Sequence, residues 1–135
     1  ELLWLRIEGD ARRIVDWVSV PVGVVTLAEK FGGREVSRDI YARMREYIRP
    51  ALLGFAGQLK TRGAPPMPDH LLGTSGTVTT ISGVSLGLRR YDRSKVDGCW
   101  LDRIEVARIA EQLRRMKLAE RAANGCIGRD RADLV

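Results

Sequence analysis

One histidine and two cysteines leave this chain short of the side chains that bind transition metals. His70 stands alone, and Cys99 and Cys126 lie far apart with no partner at metal-ligand spacing, so the pattern argues against zinc. The same two cysteines suit the reduced state of a cytosolic protein, and a cytoplasmic location is expected. No apolar run approaches the roughly 18 residues of a membrane span, which argues against membrane insertion. The opening Glu1-Leu2-Leu3-Trp4 has no basic region leading into a long apolar one, so it does not read as a signal peptide. It also has no initiator methionine, as expected of a processed or excised piece. Aromatic residues are only 6% of the chain, and no helix–turn–helix or stacking platform is legible, which argues against a nucleic-acid-binding module. Lysine is scarce too. Of 23 basic residues only Lys30, Lys60, Lys95 and Lys117 are lysines, and the rest are arginines.

What is present is ordinary globular material. A 44% hydrophobic fraction beside 30% charged residues, over 135 residues, suits one domain with a real core. The net charge of +6 is carried by arginine, whose planar fork suits bidentate phosphate contacts. A polyanionic partner is one reading of that bias. Arginines chosen by genomic base composition and solvating helix faces are the other.

The stretch Leu71–Leu88 organises the chain. A short apolar segment, Leu71–Gly73, reads as a strand that runs into the small-residue loop Gly73-Thr74-Ser75-Gly76-Thr77. A segment able to be helical follows, Val78 to Leu88. If Gly76 and Thr77 open that helix, their free N–H groups and the positive dipole end make a seat for phosphate or another anion. The bland alternative is a tight turn in which Ser and Thr cap the helix. The loop has neither the lysine of a P-loop nor the spacing of a dinucleotide fingerprint. His70, at the mouth of the loop, reads as structural.

Around this centre, Leu2–Glu8 and Arg13–Val20 read as a hairpin turning at Glu8-Gly9-Asp10. A short helix from near Gly23 to Phe31 is stopped by Gly32-Gly33. Ser37 caps a long helix with Asp39 in its first turn. Its apolar stripe is Ile40, Tyr41, Met44, Tyr47, Ile48, Ala51, Leu52, Phe55 and Leu59, and Pro50 is expected to kink or split it. Gly63-Ala64-Pro65-Pro66-Met67-Pro68 is a loop, and Tyr91 to Gly98 a polar surface turn. A helix from Leu101 or Asp102 places Ile104, Val106, Ile109, Ala110, Leu113 and Met116 inwards, with Glu111 and Arg115 paired on its outer side. Ala119–Ala123 forms a shorter helix ending near Gly125, and Asp130–Val135 reads as the first turns of another. The hairpin and the Leu71 strand are expected to share one sheet, with the two long helices packed on it.

In this order the chain resembles the exopolyphosphatase and guanosine pentaphosphate phosphatase family. Ser19-Val20-Pro21-Val22-Gly23-Val24-Val25-Thr26-Leu27-Ala28-Glu29 is similar to its S-L-P-L-G-A-V-R-L-T-E stretch. Gly73-Thr74-Ser75-Gly76-Thr77-Val78-Thr79-Thr80 follows its G-T-S-G-T-A-T-T motif nearly residue for residue. Tyr91-Asp92 with Lys95-Val96-Asp97-Gly98 resembles Y-D-x-x-x-V-H-G, with Asp97 where the family has histidine. Leu101, Glu120-Arg121 and Arg131-Ala132-Asp133 follow in the expected order.

The resemblance implies an α/β, ribonuclease-H-like (actin-like ATPase) fold with a mixed sheet, of which residues 1–135 would be the second domain, truncated at both ends. It implies hydrolysis of terminal phosphoryl groups of inorganic polyphosphate or guanosine pentaphosphate, assisted by Mg²⁺. Glu1 would be the last residue of a phosphate loop, D-x-G-G-G-S-x-E, and would serve catalysis by placing the metal or its waters. Gly73, Thr74, Ser75, Gly76 and Thr77 would contribute to a phosphate-binding wall, or to domain packing. The family's first phosphate loop and catalytic glutamate would lie outside these residues, so the chain alone is expected to be inactive. An open interdomain face favours a homodimer. A non-catalytic actin-like assembly domain and a basic nucleic-acid-binding module are the competing readings.

Overall fold

The computed structural model describes residues 1–135 and combines one antiparallel two-stranded sheet with packed helices. Its elements are β1 (Leu2–Glu8), β2 (Ala11–Val18), α1 (Val24–Phe31), α2 (Arg38–Thr61), α3 (Gly76–Ser85), α4 (Arg93–Val96), α5 (Arg103–Arg115) and α6 (Leu118–Ala123). A 3-10 turn follows at Arg129–Arg131. No helix is long and apolar enough to cross a membrane. The contacts fall into two compact units, one of residues 1–23 and 42–71, the other of residues 24–41 and 72–135.

In the first unit β1 and β2 pair with Leu3 opposite Trp17 and Leu5 opposite Ile14, and a bulge falls beyond Trp4. Alternation along β1 half-buries Leu2, Trp4 and Arg6 and leaves Leu3, Leu5 and Ile7 exposed on the other face. Ile14 and Trp17 join that exposed face, Trp17 at 61%. Two contacts tie the hairpin to the end of α2. Arg62 Nε meets Asp16 Oδ2 at 2.8 Å, and Arg6 Nη2 donates to the Gly63 carbonyl at 3.1 Å.

Ser37 caps α2, accepting the Ile40 N–H at 3.1 Å. Of the kink or split expected at Pro50, the split does not occur, and α2 continues through it. Proline removes the N–H that would bond the Glu46 carbonyl, but Pro50 and Glu46 are both exposed, so water can take that acceptor. Of the expected stripe only Phe55 and Leu59 are fully buried, while Tyr41, Tyr47 and Leu52 stay exposed.

The second unit holds the main core, Ile109, Leu113, Ile127 and Ala132, with Ile81, Val84, Met116, Leu118, Ala122 and Val135 packed around it. Helix α3 packs on α5 and α4, and Ser85 Oγ donates to Glu105 Oε1 at 2.6 Å across the α3–α5 contact. Asp102 caps α5, accepting the Glu105 N–H at 2.7 Å. Ile104, expected inside, is 76% exposed, and Val106 is exposed as well. At about 100° per residue Ile104 sits about 140° round the helix from Ile109, on the wrong side of the buried stripe. The supposed polar turn around Tyr91 contains α4, which buries Val96. The expected C-terminal helix is only the 3-10 turn, begun by Gly128 at φ +77°.

Two further expectations are corrected. Leu71–Gly73 is not a strand, and the sheet has two antiparallel strands where a mixed one was expected. Leu71 and Leu72 are exposed, Leu71 at 89%, so no neighbouring strand or core covers them. Three residues after a segment with three prolines offer too few backbone donors and too little apolar surface to add a strand. Helix α5 packs on α3 within the second unit.

Candidate functional site

The residues of the central loop do open a helix. Ser75 is the N-cap of α3, with extended backbone and its Oγ accepting the Val78 N–H at 3.4 Å. Gly76 and Thr77 are the first helical residues, and no acceptor within the chain takes their N–H groups. Just inside, Thr80 Oγ1 donates to the Gly76 carbonyl at 2.8 Å and Thr79 Oγ1 to the same carbonyl at 3.1 Å. Thr80 is fully buried, so the threonine-rich sequence anchors the first turn from below. Gly73, Thr74, Ser75 and Gly76 are exposed, and Thr77 is half-buried.

Gly76 has no positive φ, so conformational freedom is not why glycine stands there. What marks the position is a close neighbour. A Cβ on Gly76 would lie 2.8 Å from Nη2 and 3.1 Å from Nη1 of Arg131, so the guanidinium rests against the first turn of α3. No carboxylate in the chain forms an ion pair with Arg131. A cation set against the positive end of a helix is unfavourable by itself, and an anion between them relieves both. The free N–H groups of Gly76 and Thr77, the Ser75 hydroxyl proton and the guanidinium are all donors. Together they can hold a phosphate or similar oxyanion. No general base stands among these donors to activate the Ser75 hydroxyl.

Arg131 is presented by the segment Gly128–Val135, and that segment is tied down by Arg121. Arg121 is 2% exposed, and donates Nη1 to the Val135 carbonyl at 2.6 Å and Nη2 to the carbonyls of Gly33 (2.8 Å) and Arg34 (2.5 Å). Its Nε is buried without a partner. Burial pulls its pKa below the ordinary arginine value, and Asp133 pushes it back up. Gly33 fits only without a side chain, since a Cβ would strike the Asp133 carbonyl.

The other motif residues are structural in what they touch. Asp92 caps α4, accepting from Ser94 N and Oγ at 3.1 and 2.7 Å, and these bonds hold its pKa below the usual range. Asp97 pairs with Arg93 at 3.0 Å. Tyr91 N–H donates to the Gly125 carbonyl at 3.1 Å, and a Cβ on Gly125 would strike the Arg89 carbonyl. Cys126 is buried, which raises its thiol pKa, and His70 is exposed in a stretch without regular structure.

Glu1 is exposed, precedes β1 and belongs to the first unit, whereas the Gly73–Thr77 loop belongs to the second but for its approach through Leu71. No three of His, Cys, Asp and Glu stand together as metal ligands. Of the residues present, the resemblance would give a Mg²⁺ only Glu1, a single carboxylate of the kind that holds this ion together with waters and substrate phosphates. No protein-family model matches the chain, nor does a curated protein or a solved structure.

Sequence reasoning found the loop but not its partner. Arg131 stood in the sequence only as one of three motif residues in order, and nothing local marks an arginine as facing Gly76. Its one indirect signal was a glycine at a helix start with no turn to explain it.

Proposed function

We propose that this chain is part of a phosphatase acting on terminal phosphoryl groups of inorganic polyphosphate or guanosine pentaphosphate, within the second domain of a ribonuclease-H-like fold. The observation that supports it is the Arg131 guanidinium standing against Gly76 at the open end of α3. The loop and Arg131 bind a phosphate of the substrate and neutralise part of its charge. Ser75 Oγ accepts from Val78 and keeps its own proton to donate outward. Positioning and charge neutralisation are the larger share of what phosphoryl transfer asks of a protein. Groups that orient the attacking water come from outside these residues, and the chain alone binds without hydrolysing.

The test is a titration of tripolyphosphate into the purified chain, read by the amide resonances of Gly76 and Thr77. Saturable shifts at those two amides, weakened about 10-fold or more in Arg131→Ala, are expected, since a charge-assisted hydrogen bond is worth about 1.5–3 kcal/mol. Binding that is unchanged by Arg131→Ala, or shifts elsewhere only, would overturn the reading. Phosphate release by the chain alone, above a buffer control and lost with a chelator, would overturn its stated division of labour. In the intact enzyme Gly76→Val should cut turnover severely with a normal thermal midpoint. Ser75→Ala should be milder, because the backbone donors remain.

A further inference from the structure

We draw no further inference here: the strongest candidate, the exposed apolar face of the β1–β2 hairpin formed by Leu3, Leu5, Ile7, Ile14 and Trp17, carries none because nothing in the structure shows what covers it.

Discussion

The two units of this chain use similar amounts of apolar sequence to different effect. The hairpin unit carries Leu3, Leu5, Ile7, Ile14, Trp17, Leu52 and Leu53 on its surface and fully buries only Phe55 and Leu59 among its apolar residues. The second unit fully buries Val96, Ile109, Leu113, Cys126, Ile127 and Ala132, and with them Thr80 and Arg121. A two-stranded sheet has one apolar face too many for a single helix to cover, and such hairpins are marginal alone. In the second unit side chains from α3, α5, α6 and the C-terminal segment close on one cluster, so modest apolar content yields a closed core. The difference teaches where the proposed anion-binding geometry can be precise. Helix α3 and the Arg131 segment are both anchored in the unit that has a core.

If that contrast is right, substitutions should divide sharply by unit. The largest loss is expected from Arg121→Ala, which strips the donors from three carbonyls that span the second unit. The carbonyls are only partly buried, so each left bare costs up to about 1–3 kcal/mol, and the emptied place of the buried guanidinium adds to that. Urea unfolding should show the midpoint collapsing, and Arg121→Lys should not restore it, because one ammonium cannot reproduce the two-ended fork. A midpoint within error of the parent would mean that the tether carries no weight.

Next comes a matched pair. Ile109→Ala, at a site of 0% exposure, should cost about 2–5 kcal/mol. Ile14→Ala, on the open face of the hairpin, should stay within about 0.5 kcal/mol. Equal losses at the two sites would erase the contrast, and would mean that the hairpin face is covered in solution.

A smaller effect is expected with acid. Glu105 is held at a pKa of about 2, first by its hydrogen bonds from Arg108 and then by that from Ser85. Glu111 is held at about 2 by Arg114 and then Arg115, both at 2.7 Å. Depressed carboxylates contribute stability that is fully present above their unfolded value of 4.5 and is lost as pH falls through about 2. Stability of the second unit should therefore decline between those limits, and Glu111→Gln should flatten the slope. An unchanged slope in that variant would remove Glu111 from the account.

The smallest effect should be Gly76→Ala on stability. The atoms that its Cβ would meet are the far end of a flexible arginine, which can swing aside. Gly125→Ala makes the sharper control, since its obstacle is backbone at Arg89 and cannot yield without moving the chain. A Gly76→Ala loss as large as that of Gly125→Ala would show that Arg131 is rigidly held.

What the sequence determined by itself was local. Strand β1 runs from Leu2 to Glu8 as its alternation predicts, and Ser37, Ser75 and Asp102 cap the helices they precede, because a cap is a hydrogen bond over two or three residues. The Glu111–Arg115 pair follows from helical spacing alone. Tertiary structure decided everything that depends on residues distant in sequence. Leu71–Gly73 has strand-like residues but no partner strand, and Ile104 is apolar but lies off the face that α3 covers. Arg121 reaches Gly33 across 88 positions, and Arg131 reaches Gly76 on the segment that Arg121 holds. Which arginine, among so many, stands at a helix end is fixed by packing, and composition treats them all alike.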